Sequence, residues 1–309
     1  MESKKSVTFV SELITNPKNL NIMKNERISF SNLANLQNDN VFVTSENRNL
    51  SELTGLPTRR GLENVIISDG QIVNAVSSSY GHLPNEVFFG KVEKKLNDAG
   101  IKYVKRSINR ENRSFAVDYI LNDDSFIVKV KNGTDVVRPM LRFVNSYDGS
   151  CKTSGNFGIY RQVCTNGLHV ADFSVGFSVK HRGAIVELVL PEISNLTNMF
   201  MENEYYTLSK KFEVLAERKI VDLEGFVKAT ATDLNLFKFA MSEKNPMPSL
   251  NARMVIDIIK GESELFGSEP TLWNGYNAFN EVLHTKLKKS FDQQKNIDSK
   301  LFNHILEMA

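Results

Sequence analysis

"IKYVKRSINRENRSFAVDYILNDDSFIVKVKNGTDVVRPMLRFV", residues 101–144, decides the fold. Four strand-like runs, 101–108, 115–121, 126–131 and 136–144, alternate with "NREN", "NDDS" and "NGTD". Asn, Asp and Gly tolerate positive φ and bond their own backbone, so these separators predict antiparallel strands joined by tight turns. Directly upstream, "LPNEVFFGKVEKKLNDAGI" starts with Pro84 and Asn85, repeats Val87, Phe88, Val92 and Leu96 at helical spacing, and stops at Gly100. This predicts an amphipathic helix over 84–99.

Further out, "NVIISDGQIVNAVSSSY" reads as two short strands, 65–67 and 72–76, around Asp69 and Gly70. The first 60 residues are polar and Asn-rich, with small apolar clusters such as 41–43, and read as an irregular leader. Strand-like text continues through 159–164, 169–180 and 184–190 to Pro191, and from about residue 198 apolar periods near 3.6 take over. The expected class is α+β: an antiparallel β-sheet core preceded by an amphipathic helix, with a helical C-terminal third. The expected division is 1–60 leader, 61–195 sheet core and 196–309 helical region packed on it. Trp273, Tyr276, Asn280, Leu283 and Leu287 follow three- and four-residue steps, as a stripe facing that core does.

The chain has 309 residues, 41% hydrophobic and 24% charged, which is globular composition. It has no apolar run of about 18 residues, and its start lacks an apolar core with a small-residue cleavage site, so the expectation is a cytoplasmic protein without a membrane span. Two cysteines make no disulfide framework and agree with a reducing compartment. A net charge of +2 does not by itself imply a polyanionic partner, so the distribution of charge matters more.

Residues 148–170 concentrate both cysteines, Asp148 and His169, and invite three kinds of chemistry. Cys151, Cys164 and His169 do not match the paired ligand spacing of structural zinc sites. A phosphate loop needs Gly directly before its Lys, but Cys151 precedes Lys152 and Ser146 occupies the place of the first Gly. A cysteine nucleophile needs a base, and His169, five residues after Cys164, is the nearest candidate. An enzyme built on Asp148, Cys164 and His169, metal- or cysteine-dependent, therefore stays as one alternative, with no catalytic residue, metal or cofactor assigned, and a module that binds and neutralises a host factor is the other.

The charge pattern points elsewhere. Residues 101–115 hold five Lys or Arg against one Glu. Strand alternation puts Val128 and Val130 on one face and Lys129 and Lys131 on the other, and likewise separates Val137, Leu141 and Phe143 from Arg138 and Arg142. One apolar face and one row of cations, with Asp118 the acidic exception, is the arrangement that grips a phosphate backbone. The candidate nucleic-acid contacts are Lys102, Lys105, Arg106, Arg110, Arg113, Lys129, Lys131, Arg138, Arg142 and Arg161. Tyr103, Tyr119, Phe143 and Tyr147 are the aromatic residues available to stack on bases.

"FVNSYDGSCKTSGNFGIYRQVCTNGL" resembles the signature region of an uncharacterised family of phage- and plasmid-encoded proteins, a domain of unknown function. Its motif positions here are Asn145, Ser146, Asp148, Gly149, Ser150, Arg161, Cys164 and Asn166. "SSYGHLPNEVFFGKVEKKLNDAG" and "TLWNGYNAFNEVLHT" extend the likeness. The resemblance implies a shared α+β fold and a mobile-element origin, and supplies no activity. In plan, the helix and the strands that follow it are similar to phage single-strand annealing proteins of the Erf and RecT kind. That likeness implies single-stranded DNA as partner, a homo-oligomer, no nucleotide and no bond chemistry, in the host bacterial cytoplasm. Arg161 sits among apolar neighbours and is expected to pair with a buried acid, Asp148 being the candidate within the motif.

Overall fold

The computed structural model describes residues 36–123, 127–130, 135–161, 176–201, 205–242, 245–286 and 289–309. A small antiparallel meander comes first: β1 (Ser45–Asn49), β2 (Asn64–Ser68) and β3 (Gln71–Val76), in the order β1-β2-β3. Asp69 and Gly70, at φ 50° and 76°, make the tight β2–β3 turn expected of an Asp-Gly pair. Between β1 and β2 lies one helical turn, α1 (Leu50–Thr54), capped by the Asn49 side chain, which accepts from the Ser51 and Glu52 amides. Ser45 pairs with Ser68 and Asn49 with Asn64, so the expected break at residue 60 runs through the middle of one sheet.

The helix expected over 84–99 is α2 (Asn85–Asp98), burying Phe88, Phe89, Val92 and Leu96. The main sheet follows, with β4 (Tyr103–Arg110), β5 (Ser114–Leu121), β6 (Val128–Val130), β7 (Asp135–Ser146), β8 (Thr153–Arg161) and β9 (Gly176–Val179). Its order is β4-β5-β7-β8-β9, every pairing is antiparallel, and β6 joins the first residues of β7. Pro139 falls between the stretch of β7 paired to β6 and the stretch paired to β5, a position where a missing N–H costs little.

Helix α3 (Ile185–Met201) replaces the strand expected at 184–190. Its β-branched start, "IVELVL", resembles a strand, but Ile185, Val189, Ile193, Leu196 and Phe200 are buried at helical spacing against the sheet. Tertiary burial outweighs both local propensity and the lost amide of Pro191, which lies inside the helix. Gly155 on β8 permits this approach, since a Cβ there would lie 2.6–2.9 Å from Phe177, Phe143 and Leu196.

The helical third holds α4 (Tyr205–Glu217), α5 (Leu223–Asp233), α6 (Leu250–Phe266), α7 (Leu272–Lys286) and α8 (Phe291–Glu307), with a short hairpin of β10 (Ala240–Ser242) and β11 (Asn245–Pro248) before α6. Trp273, Tyr276 and Phe279 of α7 pack with Phe212 and Phe302 in one core continuous with the sheet. The α+β class and the helical C-terminal region are as expected. Among the described residues no helix is long and apolar enough to cross a membrane.

Candidate functional site

Both faces of the main sheet are buried. Phe115, Val117, Tyr119, Leu141 and Phe143 meet α2 and α3 on one side. On the other, Ala116, Val144 and Cys151 meet Phe291 of α8, while Ile120, Met140 and Tyr160 form a second cluster under Leu36 and Val104. Among the described residues, Arg106, Arg138 and Arg142 of the expected open cationic face are therefore buried.

Arg142 (7% exposed) places Nε 2.6 Å and a terminal nitrogen 3.0 Å from the two carboxylate oxygens of Asp118, and Arg106 approaches the same carboxylate at 3.4 Å. Asp118, read as an exception in a cation row, is the group around which that row condenses. Arg138 is buried and donates to the Leu121 carbonyl. Lys105 is half-buried and bonds Glu93 at 3.0 Å. Lys102 and Lys129 are exposed at separate places, and Lys131 lies outside the described residues.

Arg161 is fully buried and pairs with an acid, but not with Asp148. Its guanidinium reaches Asp135 at 2.6 Å and Glu262 of α6 at 2.6 Å. Trp273 donates to the same Asp135 oxygen at 2.8 Å, and Asn274 donates to Glu262 at 2.8 Å. This network bolts β7 and β8 to α6 and α7, because each carboxylate taken from water needs the donors that meet it there.

The 145–150 motif is also architectural. The Asn145 amide donates to the Leu83 carbonyl and to Asn85 Oδ1, and its own Oδ1 accepts from Thr153, fixing the start of α2 to the sheet. Ser146 Oγ donates to the Cys151 carbonyl, Asp148 accepts from the Ser150 amide, and Gly149 takes φ 72°. Beside it, Tyr80 stacks on His181 at 5.3 Å, and the His181 ring bonds the Gly81 carbonyl and Thr153. Burial pulls the His181 and His82 imidazoles below their ordinary value. Burial also pushes the Cys151 thiol up to about 12, which removes it as a thiolate nucleophile at neutral pH. Cys164, Asn166 and His169 lie outside the described residues, and among those described no group of three His, Cys, Asp or Glu could hold a metal ion.

Among the described residues, a cleft of about 510 Å³ opens to solvent at the far end of the β4–β5 hairpin. Arg110, Glu111 and Arg113 form one wall, the α7–α8 junction with His284, Lys289 and Gln294 forms the other, and Asp148 also lines it. Glu111 and Asn112 take φ 55° each, the two left-handed residues of a tight hairpin turn, and Asn112 donates to Asp69 of the neighbouring hairpin. Arg110 holds the two walls together. Its guanidinium donates to the Lys289 carbonyl at 2.8 Å and to Gln294 at 3.3 Å, and stacks 3.8 Å from the Phe291 ring centre.

With Arg110 engaged in this way, Arg113 and Lys289 are the cleft's cations whose side chains have neither an ion pair nor a hydrogen bond among the described residues. Behind them, His284 bonds both oxygens of Asp298 at 2.9 Å. Burial raises the Asp298 carboxyl, while His284 and Arg142 draw it back down. Arg110, Arg113 and Asp148 are candidates from the sequence alone. His284, Lys289 and Gln294 are not, because only the tertiary fold brings residue 289 to residue 110.

A family model described as a domain of unknown function, DUF932, matches residues 73–301, from β3 into α8. No curated protein and no solved structure matches the chain.

Proposed function

The chain belongs to the DUF932 family of unknown function, and we propose that it is a nucleic-acid-binding protein that engages single-stranded DNA at the hairpin-tip cleft without bond chemistry. The observation that carries this reading is that Arg113 and Lys289 line one open cleft, while Arg106, Arg142 and Arg161 are engaged by buried carboxylates. Charge-assisted contact with phosphate needs cations that can still exchange water for an anion, and these two can. The same reading makes the protein a phage- or plasmid-borne accessory of replication or recombination, acting as a homo-oligomer.

The test is a titration with a labelled single-stranded oligonucleotide between about 50 and about 300 mM salt, with light scattering on the same samples. Two phosphate contacts give a slope of log K against log salt near −1.4, a loss of roughly tenfold over that range. Arg113→Gln and Lys289→Gln each weaken binding, and Arg113→Gln keeps stability within about 0.5 kcal/mol because the side chain is exposed. Absence of binding at the lowest salt overturns the reading.

A further inference from the structure

The cleft's dimensions and charge suit one phosphate better than a threaded strand. Its volume of about 510 Å³ is that of a small-ligand pocket, within the usual range of roughly 300–1,000 Å³. A groove that tracks a backbone needs cations spread over several nucleotides, about 4–16 for common single-strand binders. Here two line one cleft, one on the β4–β5 turn and one on the α7–α8 junction.

Arg110 makes that pair a preorganised clip. By donating to the Lys289 carbonyl it fixes the backbone that carries one cation to the hairpin that carries the other. Two cations in one cleft match a terminal phosphate, whose charge approaches −2 above about pH 6, more closely than an internal phosphodiester with a single charge. Glu111 and Asp148 also line the cleft, and their oxygens can accept from sugar hydroxyls or a base amino group.

We infer that this cleft binds a nucleoside phosphomonoester, either the phosphorylated end of a strand or a free mononucleotide. The inference rests on the cleft proposed above for single-stranded DNA and narrows what it recognises there. Arg113 and Lys289 contact the phosphate, and Arg110 is a positioning residue.

The experiment measures binding of the whole chain to one oligonucleotide prepared with a 5′-phosphate, with a 3′-phosphate, with neither, and as a closed circle, and separately to adenosine monophosphate. Expected is a preference of about tenfold or more for one phosphorylated end over the unphosphorylated strand and the circle, the worth of one added charge-assisted contact. That preference should vanish in Arg113→Gln with an unchanged melting temperature, and fall in Arg110→Gln. Binding of adenosine monophosphate with no binding of any strand supports the phosphomonoester site and overturns strand binding. Equal affinity for all four strands overturns the phosphomonoester site and leaves strand binding standing. No binding of any probe at low salt overturns both.

Discussion

Arg161 and Arg113 both stand at strand ends of the main sheet, yet the fold uses them in opposite ways. Arg161 is fully buried between two carboxylates and under Trp273, where its charge is already answered. Arg113 stands exposed at the end of a hairpin beside an open cleft. A cation's chemistry depends less on its residue type than on whether a carboxylate reaches it first. In this sheet the carboxylates reach most of them.

The sharpest way to break that contrast is Arg161→Ala. It leaves Asp135 and Glu262 buried without their guanidinium and should cost about 3–5 kcal/mol in urea unfolding. A loss below about 1 kcal/mol would mean that the network closes without the arginine. Arg142→Ala should cost less, about 1–3 kcal/mol, because Arg106 remains beside Asp118. If the two variants lose equally, the two sheet faces are equivalent and the second guanidinium gives Asp118 no protection.

A smaller effect on stability depends on pH. His82 and His181 are held below the ordinary imidazole value by burial, so the unfolded chain takes up protons before the folded one does. Stability from these groups is complete above about pH 6.5 and is lost as pH falls below it. Urea midpoints measured from about pH 7.5 down to about 5.5 should decline, and His181→Gln should flatten the decline. A midpoint that rises on acidification would show that the imidazoles are protonated in the folded state.

Much of this architecture is legible in the sequence. Helix α2, the β2–β3 turn and the β4–β5 turn follow from local rules, because Asp69, Gly70 and Asn112 suit left-handed backbone at little cost. The burial of both sheet faces was harder to see. Strand β5, "SFAVDYIL", has apolar residues at odd and even positions, the signature of a strand covered on both sides, and Asp118 within it reads as an exposed charge until two arginines are placed around it. Helix α3 reads as a strand because "IVELVL" satisfies strand propensity, and only the burial of Leu196 and Phe200 eleven and fifteen positions beyond Ile185 reveals the helical period. The cleft was legible in halves. Its hairpin wall is local, whereas its helical wall depends on Arg110 bonding residues 179 and 184 positions away.

Residues 36–40 run alongside β4, where the Ser107 amide donates to the Gln37 carbonyl, the Asp39 amide donates to the Ser107 carbonyl, and the Asn109 amide donates to the Asp39 side chain. An outer strand dressed this way offers no free ladder to a second molecule at that stretch. Self-association by continuing the sheet outward from the middle of β4 would first have to peel this strap away. Copies of the chain that assemble in their native form must therefore meet through side chains rather than through shared backbone pairing along that border.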